Sequence, residues 1–151
     1  MRKNILHIIS PAFILLITLY VAQGQPTEKT LVKSFNLEGK ASVALQVPGP
    51  VEIQSWNNNY LRVQMQITLE NGSEAVLKSL VQGGRYNLRS EIKGEQYCIS
   101  VPGMAREVQI GGTPLGESVS FLVFAPQNVL VESPQKEQEA AVAQQNAQTG
   151  A

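Results

Sequence analysis

Between Tyr60 and Glu70 the chain alternates apolar and polar residues without a break. Leu61, Val63, Met65, Ile67 and Leu69 fall on one side, and Arg62, Gln64, Gln66, Thr68 and Glu70 on the other. A period of two is the mark of a half-buried β-strand. Slipping the strand by one residue moves its whole apolar set into water. At about 1.5–3 kcal/mol per large side chain, that penalty is on the order of 10 kcal/mol, so the register is well specified. Whatever else the chain does, it builds a sheet around this strand.

The ends of the chain differ from the middle. Arg2 and Lys3 precede an apolar run from Ile5 to Val21, and Ala22-Gln23-Gly24 follows. Basic residues, an apolar segment and small residues before a cut describe a secretory signal peptide over residues 1–24, cleaved after Gly24. The competing reading is an uncleaved anchor, but the run is short for a span and Ser10-Pro11 interrupts it. After cleavage nothing in the sequence is long or apolar enough to cross a membrane, and no cysteine stands directly after the run to carry a lipid. The expected compartment is the periplasm or the extracellular space of a Gram-negative bacterium. Residues 134–151 are Gln- and Ala-rich with one large apolar residue, Val142. Such a tail is expected to be disordered or weakly helical, because it cannot bury enough surface to offset its ordering entropy. The region between, residues 30–133, is one domain large enough for its own core.

Within that domain strand-like runs alternate with turn residues. Strands are expected over residues 32–37, 42–47 and 51–55, the last joined at the turn Trp56-Asn57-Asn58-Asn59 to the alternating strand as a hairpin. Ser73 reads as a helix N-cap, Val76, Leu77, Leu80 and Val81 as an apolar face, and Gly83-Gly84 as a stop. The spacing predicts one short helix over 74–82. Tyr86, Leu88 and Ile92 share a face in the next strand, Gly94-Glu95 turns the chain, and Tyr97, Ile99 and Val101 follow. Val119 to Phe124 is apolar on both faces, which predicts a central strand covered on both sides. Three segments, 45–53, 99–110 and 122–131, share a strand, a proline corner and a short strand opening with Val. The expected fold is mainly β, either a β-sandwich or a short β-roll or solenoid-like domain, with one short helix.

The run Val-Glu-Ile-Gln-Ser-Trp-Asn-Asn-Asn-Tyr from Val51, with the later strand ending at Pro126 and followed by Val129-Leu130-Val131, resembles the bacterial adhesin-type β-strand-repeat family of secreted proteins. The likeness covers about residues 35–132 and lacks the repeated rungs that usually follow. It implies a β-rich, solenoid-like fold and an envelope or secreted location. It implies no catalytic residues.

Residue types exclude much chemistry. The one histidine, His7, lies in the expected signal peptide, and the sequence has no aspartate. Without histidine the mature chain cannot run Ser-His or Cys-His catalysis, and it lacks the commonest zinc ligand. Without aspartate there is no EF-hand loop. No cofactor or metal site is expected, and the chain reads as a non-enzyme. Without Arg2 and Lys3, ten basic residues face twelve acidic ones, so there is no nucleic-acid footprint. Cys98 stands alone and reads as a small filler in a strand rather than a reactive thiol. Gly83-Gly84 and the loop 111–116 lack the Lys-Ser/Thr of a phosphate loop. Asn71-Gly72-Ser73 matches a glycosylation sequon but is explained as a turn and helix cap.

The expectation is an exported, non-enzymatic envelope protein with a structural or protein-binding, adhesin-like role. The alternative is a small-molecule or glycan-binding module that stacks its ligand on Trp56, Tyr60, Tyr86 or Tyr97. The partner is then an envelope protein or a glycan, and the candidate surface is Trp56, Tyr60, Arg62, Gln64 and Gln66. Trp56 has a second reading, folded back over the sheet as part of the packing.

Overall fold

The computed structural model describes residues 26–134. The expected signal peptide and the tail from residue 135 lie outside the described residues. The elements are β1 (Thr27–Phe35), β2 (Ser42–Gln46), β3 (Val51–Trp56), β4 (Leu61–Leu69), α1 (Glu74–Gln82), β5 (Arg89–Lys93), β6 (Gln96–Ser100), β7 (Gln109–Ile110), β8 (Thr113–Pro114), β9 (Glu117–Pro126) and β10 (Leu130–Glu132), with a 3-10 turn at Pro102–Ala105. One sheet has the order β1-β4-β9-β3 and the other β10-β2-β6-β5, while β7 and β8 form a small separate hairpin. The fold is a β-sandwich, one of the two architectures expected. Roll-like character is confined to the parallel pairs β3 with β9 and β2 with β10 and β6.

The alternating strand behaves as its period requires. Leu61, Val63, Met65, Ile67 and Leu69 of β4 are each at most 1% exposed, and the residues between them face outward. They meet Phe35, Phe121 and Val123 from their own sheet and Val43, Leu45, Tyr97 and Ile99 from the other in one core. Helix α1 has the expected limits. The Ser73 hydroxyl accepts the Val76 N–H at 3.3 Å, and Gly84 adopts φ +77° just after the helix, a conformation that favours glycine. Leu77 is its buried residue, with Val76, Leu80 and Val81 packed against the core.

The hairpin expected at the Trp-Asn turn does not form. β3 and β4 lie in one sheet but do not pair, because β9 is inserted between them, antiparallel to β4 and parallel to β3. β9 is central, as its apolar character suggests, but among the described residues only its inner face is covered. Val119, Phe121 and Val123 are buried, whereas Leu122 and Phe124 are half-buried on the outer face. Two other expectations also shift. β1 begins at Thr27, ahead of the run 32–37. Ile92 is 45% exposed because β5 is an edge strand, although Tyr86 and Leu88 are core. The Asn71 amide closes the β8–β9 connection by donating to the Pro114 carbonyl at 3.0 Å and accepting from the Gly116 N–H at 2.6 Å.

The proline corners mark the places where the chain changes layer. At Pro48–Pro50 it passes from β2 in one sheet to β3 in the other, and at Pro126 it returns from β9 to β10. Proline fixes φ and has no N–H to leave unpaired, which suits such a corner. The first corner is tight. Gly49 has φ +100°, and a Cβ there would run into the Val119 carbonyl oxygen. The Phe121 N–H donates to the Pro50 carbonyl at 2.9 Å, which starts the parallel ladder.

Candidate functional site

The outer face of the β1-β4-β9-β3 sheet collects the residues singled out from sequence. Strand register builds it in rows. Ser34, Arg62, Phe124 and Gln54 form one, Val32, Gln64, Leu122 and Glu52 the next, and Thr30, Gln66 and Ser120 a third. Trp56 ends β3 on the same face, and Tyr60 lies just before β4. The five candidates, Trp56, Tyr60, Arg62, Gln64 and Gln66, therefore belong to one surface. Phe124, Leu122, Glu52, Thr30 and Ser120 complete it. Sequence reading missed these, although the two-sided apolar pattern of β9 was the signal for Leu122 and Phe124.

One end of the face is an aromatic cluster around a guanidinium. The Trp56 indole N–H donates to the Tyr60 carbonyl at 2.9 Å, which holds the Asn57–Asn59 turn closed. The Trp56 and Tyr60 rings meet edge to face with centroids 4.8 Å apart, and Trp56 lies 5.4 Å from Phe124. Arg62 places its guanidinium 5.1 Å from the Trp56 centroid and 5.7 Å from that of Tyr60, within cation–π range. Its terminal nitrogen donates to the Tyr60 hydroxyl at 3.1 Å. Its Nε is buried with no hydrogen-bond partner. Trp56 thus packs back over the sheet and is half-buried, with its N–H already engaged. Tyr86 and Tyr97 are 2% and 5% exposed, so they are core residues and not stacking surfaces.

The other end is a shallow polar groove of about 390 Å³, with Thr30, Gln64, Gln66, Glu52 and Ser120 around Leu122. Glu52 accepts from the Gln54 amide at 2.8 Å. The groove offers amides, hydroxyls and one carboxylate over an apolar floor.

A second charged cluster lies away from this face and was not legible in sequence. Arg85 grips Glu117 with Nε and a terminal nitrogen, the closest contact being 2.6 Å, and donates to the carbonyls of Gly103 at 3.2 Å and Arg106 at 2.8 Å. The Tyr86 hydroxyl donates to the same carboxylate. The charged side chains are 10% and 8% exposed. Burial disfavours the Glu117 charge, but the hydrogen bonds from Arg85 and Tyr86 outweigh it and hold the carboxyl below its usual range. Burial, then the bond to Glu117, pushes the Tyr86 phenol up, and Glu117 in turn raises Arg85. Every oxygen of Glu117 is engaged, so the cluster ties β9 to the loop after α1 and to the 3-10 turn. Cys98 is 2% exposed, on the face of β6 opposite Tyr97 and Ile99, with Ala44 beside it. Among the described residues no three His, Cys, Asp or Glu side chains are grouped to hold a metal ion, and no helix is long and apolar enough to cross a membrane.

No family model and no curated protein matches the chain. Among solved structures, a proposed cell adhesion protein of Clostridium sporogenes matches with a TM-score of 0.38 and 14% identity. The match covers 71% of this chain and 46% of that one, so the chain spans less than half the length of that protein.

Proposed function

We propose that this is an exported, non-enzymatic envelope protein that binds another macromolecule through the outer face of the β1-β4-β9-β3 sheet. The observation that carries the reading is the face itself. It is broad and open, and it combines a stacked Trp56–Tyr60–Arg62–Phe124 cluster with a row of amides and hydroxyls. Aromatic and arginine side chains surrounded by polar groups are what protein-binding surfaces concentrate. The non-enzymatic part is supported by the lack of histidine after residue 7 and of aspartate anywhere. The carboxylate most altered by burial, Glu117, has its oxygens taken by Arg85 and Tyr86. The export part is supported by the basic-apolar-small pattern of residues 1–24.

The test is retention of the full chain on envelope preparations of its source cell. The double variant Arg62→Glu, Gln66→Arg is expected to lose retention at least tenfold. Gln46→Arg, on the outer face of the other sheet, is expected to retain it. Equal retention of all three proteins, or none by the unaltered chain, refutes the reading.

The groove favours a second reading, a glycan ligand held by the Gln64 and Gln66 amides over Leu122. Calorimetry with oligosaccharides of the source envelope checks it. Saturable binding abolished by Gln66→Ala supports this reading over the first.

A further inference from the structure

Four strands end the two large sheets, and three of them are guarded against pairing with another chain. β1 carries Glu28, Lys29 and Lys33, β5 carries Arg89, Glu91 and Lys93, and β10 is only three residues long. Charges and shortness are the usual protections of a sheet edge. β3 has neither. Its six residues, Val51 to Trp56, hold one charge, Glu52, and no proline.

The backbone of β3 can be oriented from one bond. The Phe121 N–H donates to the Pro50 carbonyl, and Val51 is the register partner of Phe121. In a parallel pair alternate residues aim both backbone groups at the same neighbour. Glu52, Gln54 and Trp56 therefore face β9, and Ile53 and Ser55 aim N–H and C=O at the side where no described strand pairs. Residues 52–55 are exposed, and Ile53, on the inner face, is 36% exposed.

We infer that β3 pairs antiparallel with β3 of a second copy, joining two sheets into one of eight strands across a two-fold axis at Gln54. In this register Ile53 of one copy exchanges backbone hydrogen bonds with Ser55 of the other, twice by symmetry. Gln54 faces its own copy, so two amides meet rather than two charges. Glu52 is set against Trp56 of the second copy, at the end of the face where Arg62 lies over the indole. Among the described residues Arg62 makes no salt bridge, and Glu52 makes none either. The pairing brings an uncompensated carboxylate to the side of the face that holds an uncompensated guanidinium. It also places the two outer faces next to each other, which strengthens attachment to any repetitive target. The inference stands on the edge alone and does not rest on what the face binds.

The experiment uses the full chain without its leader. Sedimentation equilibrium over a concentration series is expected to show mass rising from one chain to two. Under mild oxidation Gln54→Cys is expected to cross-link to a dimer at least tenfold faster than Gln46→Cys. Residues opposed at a non-hydrogen-bonded antiparallel position have Cα atoms about 4.5 Å apart, within disulfide range. Ser55→Pro removes an N–H that faces outward and is expected to shift the chain to monomer. If that variant misfolds by circular dichroism, the cross-linking comparison decides alone. A monomer at every concentration, or a dimer in which Gln54→Cys links no faster than Gln46→Cys, overturns the inference.

Discussion

Arg62 and Arg85 are both partly withdrawn from water, and the protein treats them in opposite ways. Arg85 is gripped by a carboxylate, and two backbone carbonyls accept from its other terminal nitrogen. Arg62 lies on aromatic rings, gives one hydrogen bond to a phenol, and leaves Nε without a partner. A guanidinium closed off on all sides does nothing beyond holding its neighbours together. One stacked on rings and short of an anion keeps its charge available to whatever arrives. The difference separates the part of the molecule that maintains the fold from the face proposed above to meet a partner.

The contrast is broken most severely at Glu117. Glu117→Ala leaves the partly buried Arg85 charge without its carboxylate and is expected to destabilise the domain by about 3 kcal/mol, at the low end for breaking a buried pair, read from urea unfolding. The same cluster sets an acid limit. The folded Glu117 carboxyl titrates below its unfolded range, so its contribution is fully present above that range. It is lost as pH falls from there through the folded value. Unfolding curves collected downward from neutral pH are expected to show this loss, and Glu117→Gln is expected to flatten it.

At the other arginine the effects are smaller. Trp56→Ala removes a half-buried ring that packs on Phe124, Tyr60 and Arg62, with an expected cost of about 2 kcal/mol, below the 3–5 kcal/mol of a fully buried aromatic. Arg62→Met keeps the stem and removes the charge. It is expected to change stability by less than about 1 kcal/mol in the same assay, because cation–π pairs at open sites contribute about that much. A loss as large as that of Glu117→Ala would make Arg62 a second structural clamp and remove the distinction.

What the sequence revealed followed the range over which its signals act. The limits of α1 were readable because Ser73 and Gly83-Gly84 act within one turn of the helix they bound. The inward set of β4 was readable because alternation is a local property. The outer face followed from the same alternation, which placed Arg62, Gln64 and Gln66 together. The β5–β6 hairpin was readable from the Gly94-Glu95 turn, but strand neighbours distant in the chain were not. The Trp-Asn turn between two alternating strands suggested a hairpin, and nothing local announces that β9, far along the chain, takes the place between them. The Arg85–Glu117 grip was hidden for the same reason. One residue follows a glycine turn and the other opens a strand, where charges are usually solvated.

The position of β9 also governs how the chain becomes a folded protein. β3 and β4 are finished early in synthesis, yet β3 lacks its neighbour in the sheet and β4 its second one until residues 117–126 arrive. Pairings across such separations are slow to form, because the intervening chain must first be closed into a loop. A ribosome or an export channel that pauses before residue 117 holds a chain whose β4, with five side chains that the finished fold buries, has only β1 to pair with. Such a chain exposes an open apolar edge and is prone to aggregate. This domain is completed from its far end, and its first half stays unfinished until then.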